Sequence, residues 1–308
     1  GAQEALFGSY ILIFLFGVVL VNSFAATQDI ATDGLAVKLL PDRWRGLGNS
    51  VQVAGFKIGM ILSGSLLLVS IDQFGWSMSF NFLSAFIVLL LIPVFFLKKG
   101  QRHVGEKTEN SGLRTYRVFF KQTNIRVWLL VLVTYKLSDS LGSAMIKPML
   151  IDQGYSLTNI AELTFWSSIC GLLGAMLAGI LYYRLGQKKL LISACLFQAL
   201  GIAAYFFVAN GISGSIWVYG ISLFEQAADG MSTVVLFSLM MAQCREGHEG
   251  ADFTVQASIQ VLVSGIVGAL SGVLASYIGF ANLFILAGVI GLFSILPAIH
   301  YFRSKIAT

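Results

Sequence analysis

The sequence predicts an all-α integral membrane protein, and three observations predict it. Of 308 residues, 56% are hydrophobic and only 11% are charged, with a mean hydropathy of +0.80. Soluble domains carry about 25% charged residues, so this chain lacks the polar surface that a water-facing globule needs. Apolar runs long enough to cross a bilayer, about 20 residues each, recur along its whole length. Two of those runs also hold a matching pair of acids: Asp29 with Asp33-Gly34, and Glu225 with Asp229-Gly230. The copies lie 196 positions apart, from 33 to 229. An ionised carboxylate in hydrocarbon costs roughly 2.5–3.5 kcal/mol by insertion measurements. Keeping two such sites in matching places implies a duplicated membrane protein with a polar path through it, which is the pattern of a transporter.

Nine spans are expected, at about 8–40, 46–71, 77–97, 126–150, 158–183, 188–209, 214–242, 253–276 and 281–302. The first is longer than the bilayer requires and is expected to tilt or to extend past the lipid. Basic residues orient the set. The polar stretch 98–126 carries Lys98, Lys99, Arg102, Lys107, Arg114, Arg117, Lys121 and Arg126. Arg43, Arg45, Arg184, Lys188, Lys189, Arg245, Arg303 and Lys305 fall on the same side, whereas loops 72–76, 151–157, 210–213 and 277–280 hold no Lys or Arg. The basic side is therefore expected to be cytoplasmic, although Glu246, Glu249 and Asp252 make the loop near 244–252 weakly acidic.

A second register supports duplication. Val51-Gln52, Gly64 and Gly75-Trp76 match Val255-Gln256, Gly268 and Gly279-Phe280 at an offset of 204. The change from 196 falls in the cytoplasmic loop after each acidic helix, where insertions are tolerated. Three spans precede the acidic helix of the second copy and none precedes that of the first. If the copies match, the spans are helices four to twelve of twelve. Residues 1–97 then close the first half-bundle as helices four to six, 98–125 form a central basic cytoplasmic loop, and 126–308 form the second half-bundle as helices seven to twelve. A natural nine-helix protein is the alternative.

Other features narrow the chemistry. Cys170, Cys195 and Cys244 show no metal-ligand spacing and read as free buried thiols. His103, His248 and His300 fall in cytoplasmic segments, so no intramembrane histidine relay is expected. No GxxxxGK phosphate loop, serine elbow or His-Glu-x-x-His site occurs. An ATP-driven pump and an intramembrane enzyme are disfavoured, and no cofactor or metal is expected. The basic loop reads as a topology determinant facing anionic lipid, not as a nucleic-acid site.

The stretches "AATQDIATDGLAVKLL" (25–40), "RGLGNSVQVAGFKIGMILSG" (45–64) and "YKLSDSLGSAMIKPMLIDQGYSL" (135–157) resemble the AmpG-like branch of the major facilitator superfamily. Parallel repeats of this length are how that superfamily builds two six-helix halves. After the fifth span, Gly179, Arg184, Gly186 and Lys188 fit the superfamily's gating-loop pattern, with Tyr183 where an acid is usual. The resemblance implies a proton-driven permease of the bacterial inner membrane, expected to act as a monomer. Its cargo would be a cell-wall fragment of the N-acetylglucosaminyl-anhydromuramyl peptide kind. Stretch 248–272 looks closer to the single-component siderophore permeases of the RhtX and FptX type, which share the same helices. A non-transporting paralogue is the remaining reading.

Candidate site residues follow from spacing. Asp29 and Asp33, four apart, share one helical face expected to point into the bundle. Shielded from water, such a pair resists joint ionisation, and a carboxyl that exchanges a proton is what coupling requires. A structural cluster neutralised by Lys57 or Lys38 is the plainer reading, as is gating for Asp33. Glu225 and Asp229 lie near the middle of their span, where no solvent relieves the charge. Gln28 and Gln226 flank the acids and offer amide donors, either to cargo or as interhelical glue. Lys136 and Asp139, three apart, can pair with each other. Lys147, before Pro148, either attracts an anionic cargo or snorkels. Gly55 with Gly59, and Gly268 with Gly272, read as close-packing positions.

Overall fold

The computed structural model describes residues 2–96, 113–212 and 214–306, and every regular element among them is helical. Helix α1 runs Ala2–Leu39, and α2 (Arg45–Ile61) continues through one wide turn at Leu62–Leu66 into α3 (Leu67–Phe96). The short α4 (Leu113–Phe119) lies in the segment expected to be a loop. Lys98, Lys99, Arg102, His103 and Lys107 of that segment lie outside the described residues. The second part comprises α5 (Ile125–Tyr135), α6 (Leu137–Asp152), α7 (Leu157–Leu185), α8 (Gln187–Ala209), α9 (Ser215–Ala242), α10 (Glu249–Phe293) and α11 (Ile295–Ile306).

Among the described residues, six helical segments are long and apolar enough to cross a membrane: Ile11–Leu39, Val69–Phe96, Ile125–Asp152, Leu157–Leu185, Gln187–Ala209 and Glu249–Ser304. Helix α9, with 28 residues, is within one residue of four of these in length, about 42 Å at 1.5 Å per residue. Two long helices bend at a glycine. Gly75 in α3 has φ 77° and ψ 170°, and Gly279 in α10 has φ 79° and ψ 160°. Both lie in a region that side chains rarely adopt, and they are the two glycines that the offset of 204 pairs. A different break divides the span expected at 126–150. It falls at Lys136, which separates α5 from α6, and the Lys136 carbonyl accepts from the Ser140 N–H at 2.9 Å.

The packed core belongs mainly to α5–α11. Trp128, Leu132, Val235, Leu239, Met240, Phe253 and Tyr301 fill one cluster. Met149, Leu150, Ile202, Tyr205, Phe284 and Ala287 fill a second. By contrast, the most apolar stretch of α1 buries nothing against described residues, and that of α3 almost nothing. Glycine sets how closely α7 and α9 approach. A Cβ on Gly230 would collide with the Gly171 carbonyl, and one on Gly174 with the backbone of Ala227. Among the described residues, the glycine spacings singled out from the sequence do not perform this role. Gly55 and Gly59 meet nothing within 4 Å, and Gly268 and Gly272 make only ordinary contacts with Ser140 and Met145. Regular spacing alone does not tell which face of a helix meets a neighbour.

Candidate functional site

The break at Lys136 turns a lysine toward the middle of α9, and an ion cluster forms there. Lys136 Nζ donates to Asp229 Oδ1 at 2.6 Å and reaches Asp139 Oδ2 at 3.5 Å. From the other side, Lys57 of α2 donates to Asp229 Oδ2 at 3.4 Å and to Gln226 Oε1 at 3.3 Å. The Gln226 amide then donates to Glu225 Oε2 at 3.0 Å, so one glutamine links a lysine to an acid. Thr233 Oγ1 lies 3.5 Å from Asp229 Oδ1. Glu225 is 1% exposed, and its second oxygen, Oε1, has no partner. Charge does not balance within the set. Three carboxyls face two ammonium groups, and a buried charge without a partner is expensive. One proton would balance it.

The cluster stands in the wall between two cavities. One, of about 530 Å³, touches Lys136, Asp139, Ser140, Thr233 and Gln260. The other, of about 190 Å³, touches Lys57, Lys147, Glu225, Gln226 and Ser167. Ser143 lines both. Asp229 turns Oδ1 to Lys136 of the larger cavity and Oδ2 to Lys57 of the smaller one.

The first pair of acids behaves differently from the second. Asp33 is half-buried and accepts from Gln52 Nε2 at 3.1 Å, while Asp29 and Gln28 are exposed on α1. Neither Lys57 nor Lys38 pairs with them. Lys57 joins the second pair instead, and Lys38 is exposed. Asp139 and Lys136 do pair, but Asp229 is the closer partner of Lys136. The expected self-contained pair is therefore one edge of a larger network. Lys147 is exposed at the rim of the second cavity.

At the end that carries the basic loops, α1 and α2 pack against α7, α9 and α10. Gly34 abuts Gly250, Gly46 lies under the ring of Tyr182, and Gly179 faces the Ser50 hydroxyl. Asn49, fully buried, donates to Ser238 Oγ at 3.1 Å and lies 3.2 Å from Met241 Sδ. Gly186, with φ 76°, ends α7 and starts α8, while Arg184 and Lys188 are exposed. Tyr183, which stands where an acid was expected, holds a cation by another means. The Arg43 guanidinium sits 4.5 Å from its ring centroid, the geometry of a cation–π contact.

Sequence reasoning missed Asn49, Ser238 and the Arg43–Tyr183 contact. It also missed Arg245, whose guanidinium grips the fully buried Asp252 at 2.6 and 2.8 Å. A basic residue seven positions before an acid in a loop was the available signal, and it is a weak one.

A helical membrane protein with buried charge between bundled helices is the class that the fold and the cluster define. The chain belongs to the Major Facilitator Superfamily, whose family model matches residues 5–269. It is similar to the anhydromuropeptide permease of Escherichia coli K12, with 26% identity over 261 residues, covering 82% of this chain and 53% of that protein. The putative transporter AmpG 4 of Rickettsia conorii is 23% identical over 292 residues, covering 91% and 70%. Among solved structures, a bacterial homologue of the iron transporter ferroportin in an outward-facing state matches with a TM-score of 0.67. The identity is 17%, over 90% of this chain and 69% of that one. The chain spans about half the length of the Escherichia coli relative it matches.

Proposed function

We propose that the chain contributes to a proton-coupled secondary transporter of the bacterial inner membrane, importing a large polar solute by alternating access. The similarity to the anhydromuropeptide permease favours an anhydromuropeptide as cargo. In this reading the helices are numbers four to twelve of twelve, residues 1–97 and 126–308 belong to opposite halves, and 98–125 join them. The observation that carries the reading is the cluster of Lys57, Lys136, Asp139, Glu225 and Asp229. It is buried, it is one proton short of balance, and it joins α2 to α6 and α9 between two cavities. Such a cluster can exchange a proton and feel the approach or separation of the halves at once.

Uptake of radiolabelled anhydromuropeptide into vesicles with an imposed pH gradient tests this. Uptake is expected to stop when the gradient is collapsed and to fall at least tenfold in Asp229→Asn. Uptake indifferent to the gradient removes proton coupling. Faster uptake of a ferric siderophore than of the muropeptide would replace the cargo and keep the mechanism.

A further inference from the structure

Resting on the transport reading, the smaller cavity carries more specific chemistry than a generic polar path. Two of its lining side chains are almost wholly buried and lack a partner at one atom: Glu225 at Oε1 and Ser167 at its hydroxyl. Both atoms are fit to meet a group that the cavity admits, since a buried polar atom left unpaired costs about 1–3 kcal/mol. Lys147 lines the same space and enters none of the ion pairs among the described residues. Lys57, another polar residue of the lining, holds Asp229 and Gln226 only at 3.3–3.4 Å. Asp229 is already gripped by Lys136 at 2.6 Å, so Lys57 can leave it without orphaning the acid.

We propose that this cavity is a carboxylate subsite. A cargo carboxylate sits between Lys57 and Lys147 and accepts from the Ser167 hydroxyl, and neighbouring O–H or amide N–H groups of the cargo donate to Glu225 Oε1. Two ammonium groups ask for an anion, while the acid beside them asks for donors. A monoanion on a hydroxylated or amide-bearing frame meets both demands. A phosphate dianion would place excess negative charge against Glu225. Occupancy also draws Lys57 off Asp229, so loading the site loosens a contact between α2 and α9.

The test uses the purified full chain in lipid nanodiscs and calorimetric binding of three probes. N-acetylmuramic acid carries a carboxylate, N-acetylglucosamine is a closely related sugar without one, and N-acetylglucosamine 6-phosphate carries a phosphate. The acid is expected to bind at least tenfold more tightly than either comparison sugar. Lys147→Met is expected to abolish that preference and Lys147→Arg to keep it. Lys147 is exposed, so these variants are expected to fold. Equal binding of the neutral sugar, tighter binding of the phosphate, or an undiminished preference in Lys147→Met each overturns the proposal. Vesicle uptake of anhydromuropeptide separates this result from the transport reading. Uptake without a carboxylate preference removes the subsite alone, whereas preference without uptake sustains the subsite and removes transport.

Discussion

Replacing Lys136 by Met strips the shorter of the two cationic contacts from Asp229 and leaves Asp139, Glu225 and Asp229 facing Lys57 alone. The ammonium lies 2.6 Å from one carboxylate and 3.5 Å from another, with its side chain 8% exposed. At an effective dielectric of about 20, these separations correspond to about 6 and about 5 kcal/mol of gross attraction. Desolvation consumes much of that, and removing one partner of a buried pair costs about 3–5 kcal/mol net. Lys136→Met is therefore expected to lower stability by about 3–5 kcal/mol. Adding Asp229→Asn should restore about 1–3 kcal/mol, because the two sites share one interaction. Lys57→Met should cost only about 1 kcal/mol, since its contacts are longer and Asp229 keeps Lys136. Equilibrium unfolding in detergent micelles, followed by fluorescence of the five tryptophans, reads all three. Strictly additive costs in the double variant, or a Lys57→Met loss as large as that of Lys136→Met, would refute the network.

Gly230→Ala places a methyl against the Gly171 carbonyl with no side chain able to yield. It is expected to cost about 1–3 kcal/mol, measured by thermal unfolding against Gly220→Ala, whose new methyl meets nothing within 4 Å. Cys244 lies in the α9–α10 loop, where burial first and the Asp252 charge second push its thiol up to about 12. Its reactive thiolate thus appears only at strongly alkaline pH. With Cys170 and Cys195 replaced by Ala, maleimide labelling at pH 8 is expected to be about a thousandfold slower folded than unfolded; equal rates would contradict this. Tyr183→Ala removes the ring under Arg43 and should weaken closure of the basic end by about 0.5–1 kcal/mol, while Tyr183→Phe should not. Spin-label distances between positions 39 and 185 would show the two- to fivefold shift toward the separated state.

The helical class, the membrane setting and the family were legible because composition and apolar run length are properties of the whole chain. The Gly75 and Gly279 pairing was legible too, since a backbone that bends through positive φ demands glycine in any context. Side-chain partners were not legible. Lys57 could be seen to need an acid, but Asp29, Asp33, Asp139, Glu162, Glu225 and Asp229 all lay within the spans, and only the crossing of α2 over α9 selects Asp229. The break at Lys136 left no proline or glycine in the sequence to announce it. Nor could the repeat reveal that its two acid pairs diverge. Asp229 sits among lysines contributed by α2 and by the break between α5 and α6, while its counterpart Asp33 meets an amide.

Gly75 and Gly279 change the course of the chain within one residue, leaving almost no slack between the rods they join. Each pair of rods is thereby coupled like two arms of a bracket: pushing one arm displaces the other. Motion that opens or shuts a passage must then pivot where longer connectors or looser packing give way. Lengthening either corner by a few flexible residues would uncouple the arms.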